Sequence, residues 1–361
     1  MMASPQLLWD WGTGYDLFLS LVVLHKPADF GVRGSWAAGV RARLSAADRE
    51  VLEQSLALWH IPCHWIYTLP EPKDGTAVLW ALGQVPPAER LPLLAFDPEM
   101  PMEVAELVEG IAQRGRWEER DRDELRAAYQ RACECEEAEK VPTPEKLATI
   151  LDLWASAEAF GERYLEALRA YHEVFFAEEE RRIRPALKHA LAQAQELAER
   201  LPLPDLLEEL SQGLRFDVPP EAARLMLVPS YWCTPLVYFG QVSKERDVWL
   251  FGARPPDASL VPGEMVPEGI LRALKALSDP TRLRIMHDLF QESLTPAKLA
   301  RRLRLRAPTV THHLKVLRLA GLVQVTLGEG KRTKRYAARP EAVVAACDAL
   351  QKFFELGEHE A

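Results

Sequence analysis

Three closely spaced helix starts near the end of the chain restrict the fold more than any other feature. Asp279-Pro280 and Thr295-Pro296 each place a good N-cap residue before a proline suited to the first helical turn. A third helix is expected from about Pro308 to Ala320, with Gly321 at its end. Three short helices in succession, with little chain between them, predict a compact helical module.

The sequence on either side of these helices completes the pattern. An apolar-faced helix is expected around 270–277, and the segment LVQVTLGEGKRTKRYAA predicts two strands joined by a glycine-containing tip. A last helix is expected from about 341 to 356. The order of four helices, a hairpin and a helix predicts a winged helix-turn-helix with an added helix at each end.

The third helix is expected to present two different faces. At 100° per residue, Val310, Leu314 and Leu317 gather on one face, and His313 lies at its edge. The opposite face is hydroxyl-bearing and basic, as a helix that enters a DNA major groove requires. The residues predicted to contact base edges or the groove are Thr309, Thr311, His312 and Lys315.

Basic residues flank this helix on both sides. Phosphates on either side of the groove are their predicted targets. The predicted phosphate contacts are Arg301 and Arg306 before the helix, and Arg332 and Lys334 in the hairpin after it.

Other roles for the adjacent histidines 312 and 313 remain open. A metal site is disfavoured because two ligands on one helix need a spacing of three or four residues. Catalysis would require a nucleophile or an acid, but the neighbouring side chains are basic or carry hydroxyls. An exposed helix without a partner is a further alternative.

The charge distribution favours the DNA interpretation. The net charge is −9, yet residues 268–361 contain 17 Lys and Arg against 10 Asp and Glu, whereas residues 1–267 carry a net charge of −16. All ten tryptophans lie before residue 250. A small basic part attached to a large acidic part is a common footprint of nucleic-acid binding.

The motifs of this part resemble those of the ArsR-type winged-helix repressors of bacteria. The phrase LSDPTRLRI stands at 277–285, and TVTHHLK at 309–315 is similar to the family's recognition helix, with Thr311 where serine is usual. The resemblance covers residues 268–340. It implies a homodimer whose recognition helices enter the major groove and whose wings lie over the backbone.

The resemblance also implies dimerisation through the two terminal helices of the module. An apolar stripe suited to this role is formed by Val343, Cys347, Leu350 and Phe354. Many family members sense metals, but the helix LTPAKLARRL has no cysteine and the last helix has no second histidine. Neither a metal site nor a cofactor is therefore expected.

The part before residue 254 is expected to form a helical effector or assembly domain, residues 1–253, with strands near 224–253. A linker rich in proline and glycine follows at 254–267, and the winged module occupies 268–361. The fold class is therefore mainly α, a large helical domain with a small sheet element before a winged helix-turn-helix. Within the first domain, Pro185 is expected to kink or end a helix. A weaker resemblance links this domain to an uncharacterised helical domain that precedes ArsR-type modules in some bacterial regulators.

Many aromatic side chains mark the first domain. We expect them either to fill an ordinary core or to line a cavity for a small apolar or aromatic effector. They are Trp9, Trp11, Tyr15, Phe18, Trp36, Tyr231, Trp232, Tyr238, Phe239 and Trp249. The sequence does not distinguish between the two arrangements.

The sequence also limits the class of function. No glycine-rich phosphate loop, nucleophile elbow or His-Glu-x-x-His motif is present, so an enzyme is not expected. No targeting or membrane-spanning segment is recognisable, and a cytoplasmic location is expected.

Together these features predict a homodimeric DNA-binding transcriptional regulator, a repressor that binds a palindromic operator and senses an effector through its first domain. Two alternatives stay open. In one alternative, the first domain is an unrecognised enzyme fused to a DNA-binding module. In the other, it is a constitutive oligomerisation platform fused to such a module.

Overall fold

The computed structural model describes residues 5–59, 61–132, 142–216, 223–255, 258, 266–328 and 334–357. The protein is mainly α-helical, as the sequence predicts, with one small mixed sheet in the N-terminal region (residues 5–255) and a winged helix-turn-helix in the C-terminal module (residues 266–357). In the parts of the chain so described, no helix is both long and apolar enough to cross a membrane.

Helices form most of the N-terminal region. They are α1 (Thr13–His25), α2 (Gly34–Arg41), α3 (Ala46–Ser55), α4 (Cys63–Ile66), α5 (Gly75–Gln84), α6 (Pro87–Ala95), α7 (Met102–Arg114), α8 (Glu119–Ala132), α9 (Pro144–Ala155), α10 (Ala157–Tyr171), α11 (Ala177–Ala198) and α12 (Leu203–Leu210). A 3₁₀ turn at Pro27–Phe30 follows α1, and a π-helical turn at His172–Phe176 joins α10 to α11. Helix α11 runs through Pro185 without ending there.

The sheet of this region has the strand order β1-β3-β5-β4. Its strands are β1 (Gln6–Trp9), β3 (Arg224–Ser230), β4 (Tyr238–Ser243) and β5 (Arg246–Gly252), while β2 (Leu214–Phe216) belongs to a second sheet. Strands β1, β3 and β5 are parallel, and β4 is antiparallel to β5. The sequence predicts the strands of 224–253 but not β1, which pairs with β3 from more than two hundred residues away.

The sheet separates two hydrophobic cores, because successive side chains of a strand point to opposite faces. Met226 and Val248 pack into the large helical core on one face, whereas Leu225 and Trp249 pack with α11 and α12 on the other. The strands are therefore buried on both sides, as parallel strands usually are.

Helix α1 lies at the centre of the large core. Every residue from Thr13 to Leu24 is buried. The buried Asp16 carboxylate accepts hydrogen bonds from Ser230 Oγ at 2.6 Å and from the Trp232 amide at 3.0 Å. Burial raises the pKa of Asp16 to about 6 despite these bonds. Helix α1 is thus fixed to the end of β3 by hydrogen bonds as well as by packing.

Close helix packing at Gly161 yields a stability prediction. A Cβ atom at this position of α10 would lie 2.1 Å from the Pro87 carbonyl oxygen of α6. We expect Gly161→Ala to lower the free energy of unfolding by about 1–3 kcal/mol, since the two helices must separate. Chemical denaturation of the two proteins measures the difference.

Gly39 provides the matched control. It lies inside α2, and a Cβ there would meet no atom within 4 Å. Gly39→Ala should raise stability slightly, because alanine is the better helix former by roughly 1 kcal/mol. Equal effects at the two positions would contradict the packing explanation.

The C-terminal module has its own core and follows the predicted order. Its elements are α13 (Glu268–Leu277), α14 (Pro280–Gln291), α15 (Pro296–Leu303), α16 (Ala307–Leu319), β6 (Val323–Leu327), β7 (Lys334–Ala338) and α17 (Pro340–Gly357). Most of the segment proposed as a linker, 254–267, lies outside the described residues.

Candidate nucleic-acid interface

The helix-turn-helix is built by local capping. Asp279 accepts a hydrogen bond from the Arg282 amide at 2.9 Å, and Thr295 accepts one from the Lys298 amide at 3.3 Å. These bonds begin α14 and α15 where the sequence predicts. Arg304 then adopts a left-handed conformation, with φ of 55°, that ends α15 and turns the chain toward α16.

Helix α16 begins without a side-chain cap. Arg306 stands at the N-cap position and makes no capping bond, and Pro308 occupies the first turn. The helix is held instead by its apolar face, on which Val310, Leu314 and Leu317 are all fully buried. Packing within the module therefore fixes the orientation of the opposite face.

The opposite face carries the four side chains predicted to read DNA. Thr309, Thr311, His312 and Lys315 are all exposed. Their hydroxyl, imidazole and ammonium groups are the types that hydrogen-bond to base edges in a major groove.

The two adjacent histidines have different environments. His312 is exposed, whereas His313 is half-buried and its Nδ1 atom has no hydrogen-bond partner. Burial lowers the pKa of His313, although the nearby Asp279 carboxylate opposes this shift. The His313 imidazole is therefore placed to pack inside the module, and His312 is the histidine that faces solvent.

The predicted phosphate contacts are distributed around this face. Arg301 and Arg306 are exposed before α16, and Lys334 is exposed at the start of β7. Arg332 lies outside the described residues. Arg302, by contrast, is bound to Glu292 at 2.7 Å and lies 3.6 Å from Asp288, so its charge is already compensated.

The wing is extended by a strand from the N-terminal region. Strands β6 and β7 form the predicted antiparallel hairpin, and β2 pairs with β6 in parallel. The Gly213 carbonyl accepts a hydrogen bond from the Val325 amide at 2.8 Å. Three strands, rather than the predicted two, therefore form the wing sheet.

The C-terminal end of α16 also contacts the N-terminal region. Arg318 donates hydrogen bonds to the carbonyls of Ser211 at 2.6 Å and Gln212 at 2.7 Å. Burial and the neighbouring Arg339 lower the pKa of Arg318 to about 10. Arg318 is thus committed to an internal contact and is not free to bind DNA.

A second contact reaches the exposed side of α16, which the sequence predicts to face DNA. Lys315 donates a hydrogen bond to the carboxylate of Asp29, which lies in the 3₁₀ turn after α1. Both side chains remain about half exposed. Nothing in the sequence near either residue indicates this contact, because they are separated by 286 positions.

The predicted dimerisation stripe on α17 is divided between two environments. Val343 packs against the core of the module, and Leu350 is half-buried. Cys347 is exposed, and Phe354 is 65% exposed. Helix α17 packs against α13, where Leu274 is also exposed, as is Val344 on α17 itself. The two terminal helices thus leave an apolar surface uncovered.

Half of the ten aromatic side chains considered as an effector site are core residues. Tyr15, Phe18, Tyr231, Trp232 and Trp249 are buried. The partly buried members of the set are Trp9, Trp11, Trp36, Tyr238 and Phe239. Of the ten, Trp11 lines a cavity of the described structure.

Among the parts of the chain that the structure describes, no group of three or more His, Cys, Asp or Glu side chains is arranged to hold a metal ion.

Comparison with known proteins places the module in a wider group. A family model described as a helix-turn-helix domain matches residues 277–326. Over 87 residues, the chain is 42% identical to proteins named HTH-type transcriptional regulator CmtR from Mycobacterium bovis and Mycobacterium tuberculosis. This similarity covers 24% of the present chain and 72% of each relative.

Proposed function

The chain belongs to the ArsR-type helix-turn-helix transcriptional regulators, and from this premise we propose that it is a homodimeric repressor of a palindromic operator, regulated through its N-terminal region. DNA binding is what the family shares. The observation that carries the finer proposal is the outward row of Thr309, Thr311, His312 and Lys315, opposite a fully buried apolar row.

The proposed division of labour follows from charge and position. Thr311, His312 and Lys315 reach base edges, because α16 presents them away from the core. Arg301, Arg306 and Lys334 contact phosphates on either side of the groove, and Arg332 is proposed for the same role from the sequence alone. Phosphate contacts supply affinity, whereas base contacts select the site.

The proposed homodimer uses the apolar surface of α13 and α17. Leu274, Val344 and Phe354 are exposed there, and Cys347 lies on the same helix. Large apolar side chains grouped on an exposed surface often mark a protein–protein interface. A two-fold dimer would present two α16 helices, which suits a palindromic site.

The proposed domain organisation assigns residues 1–253 to effector sensing, 254–267 to a linker and 268–361 to DNA binding and dimerisation. The contacts of Asp29, Ser211 and Gln212 with α16 support a regulatory role for the first domain. An effector that favours one arrangement of the two parts would change the population able to bind DNA.

The ion pair between Asp29 and Lys315 gives a prediction about DNA affinity. The Asp29 carboxylate compensates a charge that the DNA would otherwise bind, and it also repels phosphates. Because exposed ion pairs contribute only about 0.2–1 kcal/mol, Asp29→Asn should tighten DNA binding by a few-fold at low salt. Fluorescence anisotropy with a labelled operator at two salt concentrations measures this change.

Asp123→Asn is the control for net charge. Asp123 is exposed on α8, away from α16, and its replacement by asparagine removes the same single negative charge. Equal tightening by the two variants would mean that total charge, and not the contact with Lys315, is responsible.

The function itself is tested by selecting genomic DNA fragments with the purified full chain at two salt concentrations. Enrichment of a palindromic site, with an affinity that falls steeply as salt rises, would support the proposal. Transcription from the neighbouring promoter, with and without the protein, decides whether it represses. Failure to enrich any sequence at either salt concentration would contradict operator binding.

A further inference from the structure

A cavity in the N-terminal region lies at the carboxyl end of strand β1. It has a volume of about 290 Å³, and its walls include Trp11, Thr13, Glu71, Pro72, Asp74 and Arg184. Ligands of open parallel sheets usually bind at this end of the strands. The volume is near the lower end of the roughly 300–1,000 Å³ typical of ligand sites, so a small molecule is indicated.

The walls of the cavity are held in place by close backbone contacts. A Cβ atom on Gly12 would lie 2.5 Å from the Lys73 carbonyl oxygen, and the Gly14 amide donates a hydrogen bond to that oxygen at 2.8 Å. The buried Lys73 ammonium contacts the Asp10 carboxylate at 2.5 Å. The loop before α1 and the loop before α5 are therefore joined at the cavity wall.

Among the described residues, Arg184 is held through long contacts only. Its Nη2 atom donates a hydrogen bond of 3.4 Å to the Glu180 carboxylate and lies 3.5 Å from an Asp74 oxygen. Its Nε atom is buried and has no partner. The Arg184 side chain as a whole lines the cavity and is 41% exposed. The exposed part of its guanidinium can therefore donate hydrogen bonds to a carboxylate bound there.

The Glu180 carboxylate is also bound by other groups, which hold it in place. It accepts hydrogen bonds from the Thr13 hydroxyl and from the Gly75 amide at 3.0 Å, and its carboxylate lies 3.6 Å from His172. Burial alone would raise the pKa of Glu180, but the nearby His172, the hydrogen bonds from Thr13 and Gly75, and the charge of Arg184 lower it to about 2. Glu180 is therefore an ionised structural group that supports the cavity wall.

The rest of the cavity surface complements a cation and an apolar group. Glu71 is exposed on the cavity wall and has no ion-pair partner among the described residues. Asp74 is half-buried there, and one of its oxygens accepts a hydrogen bond from the Ala77 amide at 2.9 Å. Trp11 and Pro72 supply apolar surface. An arginine, two carboxylates and an apolar wall match the carboxylate, ammonium and side chain of an amino acid.

We propose that this cavity binds a free amino acid, with its carboxylate on Arg184 and its ammonium group beside Glu71 and Asp74. The role of this ligand as an effector rests on the proposed function. Helix α1 connects this cavity directly to the contact with Lys315 on α16. Its first residue, Thr13, lies in the cavity wall, and Asp29 follows its last turn and contacts Lys315 of α16.

Helix α1 is suited to transmit a displacement because it is buried over its length and spans about 20 Å. Movement of Thr13 toward a bound ligand would shift the 3₁₀ turn that carries Asp29. Ligand binding and DNA binding would then change each other's affinity by the same factor.

The test uses the full chain without DNA, so that its result does not depend on operator binding. Thermal unfolding is followed with each standard amino acid in turn, and titration calorimetry then measures the affinity of any that bind. We expect at least one amino acid to raise the Tm by several degrees near saturation. Its amide and its des-amino analogue should bind at least ten-fold more weakly.

Variants of the cavity residues show whether the amino acid binds in this cavity. Arg184→Met and Glu71→Gln should each weaken binding at least ten-fold, and Glu71→Gln should leave folding unchanged because Glu71 is exposed. Arg181→Met is the control, since Arg181 is exposed on the same helix outside the cavity.

The possible outcomes separate the two proposals. No amino acid altering the Tm, or unchanged binding in both cavity variants, would overturn the site. Equal binding of the des-amino analogue would overturn the amino-acid assignment. Binding that requires Arg184 and Glu71, in a protein that selects no DNA, would leave the site standing and refute the operator proposal.

Discussion

Replacing Thr311 and His312 together with alanine is expected to weaken binding to the operator by about 100-fold. Both side chains are exposed on the face of α16 opposite its buried row. Each well-placed base contact contributes about 1–3 kcal/mol of discrimination, so the loss of two is a large effect. Anisotropy titrations of the selected operator and of a scrambled sequence measure specific and non-specific affinity separately.

The salt dependence distinguishes base reading from general attraction. Neither replacement removes a cation proposed to bind phosphate. The slope of the logarithm of the binding constant against the logarithm of the salt concentration should therefore stay the same. Thr76→Ala/His287→Ala is the matched control, because both residues are exposed outside α16. A double variant of α16 that binds the operator as tightly as the control would refute the recognition-helix assignment.

Replacing Val344 and Phe354 together with glutamate is expected to convert the proposed homodimer into a monomer. Both side chains are exposed on α17, and a two-fold interface would bring four added carboxylates into an apolar contact. The solution mass should fall from twice the chain's 40.8 kDa to a single copy. Light scattering after gel filtration measures the mass directly.

Loss of the dimer also removes one of the two recognition helices from each operator complex. Operator affinity should therefore fall by at least about 100-fold, since half of the base contacts are lost. Trp80→Glu is the control, because Trp80 is 67% exposed on α5 of the N-terminal region. If the Trp80 variant dissociates instead, the dimer interface lies in the N-terminal region.

The sequence predicted most of the C-terminal module because its signals are local. Asp279 and Thr295 each accept a hydrogen bond from the amide three residues later. The buried row of α16 follows directly from helical periodicity. These features depend on residues within a few positions of each other, so they can be recognised without knowledge of the fold.

The N-terminal region was predicted less completely. The strands of 224–253 were recognisable from their composition, but β1 was not, because four residues carry little pattern. The aromatic residues leave two arrangements open in the sequence, and packing buries five of the ten in the core. Pro185 is expected to kink or end a helix, and of these two outcomes the structure excludes the ending, because α11 continues past it.

By itself, the sequence determined the helix starts, the outward row of α16 and the hairpin, because capping and periodicity act over one or two turns. Only the tertiary structure decided that β2 joins the wing, that Arg318 is an internal residue and that Asp29 meets Lys315. These contacts join residues separated by more than one hundred positions. Such pairs are brought together by the packing of whole elements, and no local pattern specifies them.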